Sequence, residues 1–154
     1  MQRPIEFKVW DVAKKRFHDP AKDYTDMFIS LDGKLYERYC ETMVGGNHIP
    51  ASELFQLDPS KFIKVQFTGL LDKNGKEIYE ADIVEWNQLN YVCRGFVVYH
   101  QEYCRFSVAW PSDLHSYLKD GFHGTFRNMK STYHEGALIV IGNIFETPEL
   151  LEKK

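Results

Sequence analysis

Between Phe62 and Trp110 the chain keeps alternating apolar and polar residues and keeps interrupting itself with turn formers. Successive side chains on a strand face opposite sides, so this period-two pattern points to strands over that whole stretch. In Phe62-Ile63-Lys64-Val65-Gln66-Phe67, the side chains of Ile63, Val65 and Phe67 share one face, and Lys64 and Gln66 share the other. The string TGLLDKNGKEIYEADIVEW, from Thr68 to Trp86, is then written in turn chemistry. Thr68-Gly69 lets the chain leave a strand sharply. Asp72 is placed to bond its carboxylate to the amides of the following turn. Asn74-Gly75 takes the positive φ angles of a tight reversal. Ile78 returns to the core, and Asp82 caps a second corner at Glu80-Ala81-Asp82 before Ile83 and Val84 resume the strand. Gly69, Asp72, Asn74, Gly75 and Asp82 are thus read as structural turn residues. Strands are expected over Asp82–Asn87, Tyr91–His100 and Tyr103–Trp110, with a tight antiparallel link at Gln101-Glu102.

The flanks carry weaker patterns of the same kind. Ile5, Phe7 and Val9 alternate with polar or aromatic neighbours. Met27-Phe28-Ile29-Ser30-Leu31 runs into Asp32-Gly33, a strong hairpin signal, with Lys34-Leu35-Tyr36 as the return strand. From Glu41 to Ser60 the pattern breaks at Gly45-Gly46-Asn47, Pro50 and Asp58-Pro59, which reads as a linker with one helical turn at Ala51–Phe55 capped by Ser52. Between Pro111 and Gly136 only a short helix at Ser112–Leu118 is expected. Leu138–Phe145 is the last strand, central because it opens apolar on both faces, with Gly142 marking a bulge or a close backbone approach. Thr147-Pro148-Glu149 is a helix start, with Thr147 as the cap.

Composition bounds the function. Of 154 residues, 44% are apolar and 15% aromatic, enough for a core; the net charge of -3 argues against wholesale attraction to nucleic acid or to an anionic membrane. No apolar run approaches the roughly 18–20 residues of a membrane span, and the N-terminal MQRPIEFKVWD has no secretory character. Cys40, Cys93 and Cys104 are odd in number and outside CxxC pairs, which fits a reduced, cytoplasmic setting. Cys93 and Cys104 fall in predicted strands and are expected to be buried, inert thiols.

No catalytic or metal constellation emerges. Asp72, Glu77, Glu80 and Asp82 lack the spacing of a calcium loop. The histidines, among them His115, His123 and His134 beside Glu135, form no HExxH or i, i+4 pair. There is no G-x-S-x-G elbow and no phosphate loop after Gly45-Gly46. No catalytic residue, metal ligand or cofactor is therefore assigned. The aromatic set with interleaved cations is the one nucleic-acid signal: Trp86 and Tyr99 for stacking, with Arg94, Arg105, Arg127 and Lys130 for the backbone charge. Ordinary core filling and strand formation account for the same aromatics.

Three blocks carry a resemblance: Ile5–Asp11 (IEFKVWD), Gln66–Val84 (QFTGLLDKNGKEIYEADIV) and Val140–Leu151 (VIGNIFETPELL). In this order they resemble the YopX family of phage and prophage proteins, and they bracket almost the whole chain. The resemblance implies a mainly β protein of the host cytoplasm with a C-terminal barrel, and homo-oligomerisation; it implies no reaction. The family usually has Gly where this chain has Ala81. The corner at Ala81 is therefore expected to be of a turn type that tolerates Ala, since a positive φ there would cost about 1 kcal/mol.

Together these readings give a mainly β fold in two parts. Residues 1–60 form a small β-rich N-terminal unit with its linker. Residues 61–154 form a C-terminal antiparallel, SH3-like barrel ending in a short helical turn. The expected function is that of an accessory protein working through homo-oligomerisation or contact with a phage or host protein. The alternative is a single-stranded nucleic-acid-binding barrel. The feature separating them is whether the cations gather on one face beside exposed aromatics.

Overall fold

The computed structural model describes residues 4–39, 42–44, 47–49, 54–88, 91–120, 126–128 and 138–152. It is mainly β, with antiparallel sheets, a curled half-barrel and a short C-terminal helical turn. Two compact units divide the chain: Lys8–Lys64, and Met1–Phe7 together with Val65–Lys154.

The Lys8–Lys64 unit takes in most of β1 (Phe7–Asp11), then β2 (Arg16–Phe17), the helical turn α1 (Pro20–Asp23), β3 (Thr25–Ile29), β4 (Leu35–Tyr39), β5 (Thr42–Val44), β6 (Asn47–Ile49) and β7 (Phe55–Gln56). β1 and β2 pair Trp10 with Phe17, whose rings meet edge-on at 5.2 Å. β3, β4 and β7 form a sheet in that order. The expected linker from Glu41 to Ser60 is corrected: β5 pairs β6 and β7 pairs β4. Strands of two or three residues are too short to show a period, so their β-branched residues read as noise. Phe55, expected in a helical turn, is in β7; Ala51 and Ser52 lie outside the described residues.

A carboxylate organises the start of this unit. Asp23, at the end of α1, accepts from Lys14 Nζ at 2.7 Å, Arg16 Nη1 at 2.9 Å and the Asp19 amide at 3.0 Å, and His18 Nδ1 stands 3.2 Å away. Burial pushes this carboxyl up, but the donors outweigh it and hold it well below the usual carboxylate range.

The other unit contains β8 (Phe62–Leu71) from Val65 onward, β9 (Glu77–Tyr79), β10 (Asp82–Gln88), β11 (Tyr91–His100), β12 (Arg105–Ala109), α2 (Leu114–Asp120), β13 (Phe126–Asn128) and β14 (Ile139–Asn143). Five strands make its main sheet, in the order β13-β12-β11-β10-β14. Ile78, Val84, Trp86, Val97, Val108, Leu138 and Val140 form the core on one face, with Trp110 packed 5.9 Å from the Trp86 ring. β14 is thus an edge strand, and the expectation that it is central is corrected. Its apolar residues still enter the core, which is why the sequence looks two-faced.

Two reversals use the same chemistry. At Ser30–Lys34 the Ser30 amide donates to the Lys34 carbonyl at 2.9 Å, the Gly33 amide to the Ser30 carbonyl at 2.9 Å, and Gly33 has φ +78°. At Asp72–Lys76 the matching bonds are 2.7 and 3.0 Å, with Gly75 at φ +82°. Both are type I turns followed by a left-handed glycine, the three-residue hairpin with a G1 bulge. The Ser30 hydroxyl and the Asp72 carboxylate each accept the amide of the Lys that closes the turn. Only the glycine of Asn74-Gly75 needs positive φ. The β11–β12 link is longer than Gln101-Glu102: a 3-10 turn at Gln101–Tyr103 and then Cys104 at φ +47°. Cys104 therefore leaves the predicted strand, and its thiol is exposed where a buried one was expected.

The C-terminal turn is a 3-10 turn, Pro148–Leu151. Thr147 stands at its N-cap position as expected, but its side chain makes no capping bond; its hydroxyl instead accepts from the Asn143 amide at 3.3 Å and lies 3.2 Å from the Asn143 carbonyl.

Ala81 overturns a further expectation. Its φ is +68°, the left-handed region, and it is 1% exposed. Its amide donates to Val97 O at 2.8 Å and its carbonyl accepts from Ile144 N at 3.0 Å. Those two bonds and close packing hold the corner against a strain of about 1–2 kcal/mol. Substituting Gly relieves the strain, but it loses a buried methyl worth roughly 0.8 kcal/mol and frees the unfolded chain by about 0.4–1 kcal/mol. These terms nearly cancel, so Ala81→Gly should unfold in urea within about 0.5 kcal/mol of the parent. Ala81→Val adds β-branching in the left-handed region and overpacking, and should lose more than about 2 kcal/mol. A clear loss on Ala81→Gly would show that the strain is absent.

Candidate functional site

The turn residues serve the backbone. Gly69 has φ +80°, inside the register shift of β8 between Phe67 and Leu71. Beside it the Thr68 hydroxyl donates to Ile78 O at 2.8 Å. Asp82 Oδ2 accepts from the Tyr79 amide at 2.8 Å. Gly142 sits beside a bulge, where Ile83 faces Gly142 but Val84 faces Val140. A Cβ there would come 2.8 Å from Leu150 Cδ1 and would overlap the Thr147 hydroxyl.

Asp72 does more than close its hairpin. One carboxylate oxygen accepts from Asn74 N at 2.8 Å and Lys76 N at 2.9 Å; the other accepts from Val140 N at 3.1 Å, on the outer edge of β14. The Lys73 amide takes the Leu138 carbonyl at 3.0 Å. With the Thr147 hydroxyl on Asn143 N, the outer edge of β14 is engaged by hydrogen bonds at Leu138, Val140 and Asn143. Asp72 is 5% exposed. Burial raises its carboxyl, and the three amides more than reverse that, so its pKa lies below the usual value.

Among the described residues, the cations and aromatics singled out for nucleic acid, Trp86, Tyr99, Arg94 and Arg105, do not gather in one place. Trp86 is 2% exposed and belongs to the core. Arg94 Nε donates to Glu85 at 2.9 Å and its Nη1 to Leu150 O at 3.2 Å. Arg105 lies over the Tyr103 ring at 5.1 Å. It faces His100 across the hairpin, so it stands six positions along β11 from Arg94, about 20 Å away. Tyr99, half-exposed, packs on Phe106 at 5.3 Å. The backbone of Arg127 pairs with Val108; the Arg127 side chain and all of Lys130 lie outside what is described.

A half-buried acid joins α2 to the sheet. Burial pushes the Glu80 carboxyl up, against the Tyr99 amide at 3.4 Å and the Tyr117 hydroxyl. Burial and Glu80 together hold the Tyr117 phenol above its ordinary value. The Tyr117 ring packs on Phe96 at 5.4 Å. Among the described residues no group of three His, Cys, Asp or Glu side chains converges to hold a metal. His123, His134, Glu135, Cys40 and Gly45-Gly46 fall outside them.

The open surface is in the other unit. β3 is the end strand of its sheet. Phe28, Ile29, Ser30, Tyr36, Arg38 and Leu54 line an open groove of about 550 Å³ on one face. Phe28 is 39% exposed and Leu54 56%. The charges within it are matched: Arg38 Nη2 donates to Asp26 at 2.8 Å, and its guanidinium lies 4.8 Å from the Phe28 ring centre. Sequence reasoning found the β3–β4 hairpin but not this groove. Alternation says which residues share a face, and it does not say whether another layer covers them.

The model of the family described as YopX protein matches residues 6–152. The chain belongs to the YopX family. No curated protein matches it. Among solved structures the YopX fold is shared with protein EF1440 from Enterococcus faecalis, at 22% identity and a TM-score of 0.56, covering 97% of this chain and 99% of that one. It is shared also with yopX from Bacillus subtilis, at 17% identity and a TM-score of 0.56, covering 96% of each chain. Among the described residues of this YopX-family chain, no helix is long and apolar enough to cross a membrane.

Asp72 gives a direct test of the edge bonding. In Asp72→Asn one amide hydrogen must face a backbone donor, leaving a buried N–H unsatisfied, and the variant should lose about 1–3 kcal/mol at pH 7. The native carboxyl has a lowered pKa, so its contribution is complete above about pH 4 and fades as pH falls through the folded value. The gap between parent and variant in urea midpoints should therefore narrow below pH 4. A gap that stays constant down to pH 2 rules out the carboxylate's role.

Proposed function

We propose that this YopX-family chain is a phage- or prophage-encoded accessory protein of the host cytoplasm that works without catalysis, by binding further copies of itself. The observation that carries this is the contrast between two edge strands. β14 has its outer edge engaged at three points, by Asp72, Lys73 and Thr147. β3 ends its sheet beside an apolar groove. Edge strands that stay apart from other chains are commonly blunted by unpaired charge, proline or a covering loop. On β3 the only charged side chain, Asp26, is matched by Arg38, and the strand contains no proline. The non-catalytic part of the reading is supported by the carboxylates of Asp72 and Asp82, which are spent on their own backbone.

Size-exclusion chromatography with light scattering tests the proposal. At high micromolar concentration the parent should elute at a whole-number multiple of the chain mass and dissociate on dilution. Arg38→Glu leaves two uncompensated carboxylates beside the groove and should move the equilibrium to monomer, with the circular dichroism of the parent. A parent that stays monomeric throughout the concentration range counts against assembly as the mode of action.

A further inference from the structure

In an antiparallel pair, residues alternate between those bonded to the facing strand and those whose N–H and C=O point away from it. The Ser30 amide bonds the Lys34 carbonyl, and the pairing runs in step to Thr25 opposite Tyr39. Phe28 and Asp26 are therefore bonded to β4, while Thr25, Met27 and Ile29 turn their backbone groups outward. Thr25 is already engaged, since His18 Nε2 lies 3.0 Å from its carbonyl. Met27 and Ile29 are left with outward-facing donors and acceptors, and no bond to another described residue engages them.

We infer that β3 pairs antiparallel with β3 of a second copy about a two-fold axis through Phe28, with Met27 of each copy bonded to Ile29 of the other. This inference rests on the proposed self-association. The alternative register, centred on Met27, sets Thr25 against Ile29 and takes the Thr25 carbonyl from His18. The register centred on Phe28 uses all the outward groups of Met27 and Ile29 and leaves that contact alone. It is also the electrostatically quiet choice: Asp26 faces Ser30 of the other copy, so no like charges meet. The two Phe28 rings form a non-hydrogen-bonded pair, the closer kind, with Cα atoms about 4.5 Å apart. The groove of Phe28, Tyr36, Arg38 and Leu54 lies on the same sheet face, so the two grooves join across the axis into one apolar surface. A second copy fits this edge because it brings the same short ladder, the same matched charge and the same apolar face.

Disulfide trapping tests the register in the full chain with Cys40, Cys93 and Cys104 changed to Ser. Phe28→Cys brings its two sulfurs within bonding reach across the axis, whereas Asp26→Cys separates them by four positions, about 13 Å. Under mild oxidation Phe28→Cys should yield about tenfold more linked dimer than Asp26→Cys. Met27→Pro removes an outward donor that β4 does not use, so it should keep the parent circular dichroism and run as a monomer. If light scattering shows a dimer but Phe28→Cys links no better than Asp26→Cys, or Met27→Pro still dimerises, the register is wrong and self-association stands. If the cysteine-free parent is monomeric at high micromolar concentration, both fall.

Discussion

The fold depends on what happens to backbone groups where a sheet runs out. A strand at the end of a ladder carries N–H and C=O groups that water, another element or another chain must satisfy. In the C-terminal unit a single carboxylate meets much of that demand. Asp72 sits at a hairpin, holds the two amides that close it, and reaches the edge of β14, sixty-eight positions along the chain. A local turn residue is thus also a long-range tie. Its burial is tolerable because each oxygen has backbone donors, which is also why its ionised form is favoured.

The same principle accounts for the strained and crowded positions. Ala81 adopts a left-handed φ because its amide and carbonyl are claimed by Val97 and Ile144 on two different segments. Gly142 is small because the Thr147 hydroxyl and Leu150 lie where a side chain would go. In each case hydrogen bonding at a sheet margin fixes the backbone, and the side chain has to fit what remains.

Much of this is legible in the sequence, and the exceptions share a cause. β11 is visible as Tyr91–His100 because ten residues of strand give alternation room to register. Asp72 is visible as a turn former because its bonds to Asn74 and Lys76 are local. Its hold on Val140 is not, since nothing in a one-dimensional pattern links the two. β14 reads as central because its apolar residues truly enter the core, while the sheet simply ends beyond it. β5, β6 and β7 are too short to establish a period. The exposed groove of Phe28 and Leu54 is invisible for the opposite reason: those residues look like core, and only the layering shows them uncovered. Trp86 illustrates the reverse error, a tempting stacking ring that is in fact enclosed.

The twin reversals at Ser30–Lys34 and Asp72–Lys76 bear on the order in which the chain assembles. Each joins segments a few residues apart, so the entropy of closing the loop is small, and glycine supplies the one unusual angle. Pairing β10 with β14 must bring Ile83 to Gly142 across a far longer span, and contacts of that kind slow folding. The hairpins should therefore form and dissolve on their own many times before β14 arrives, and Asp72 waits in a finished turn for the strand it will hold.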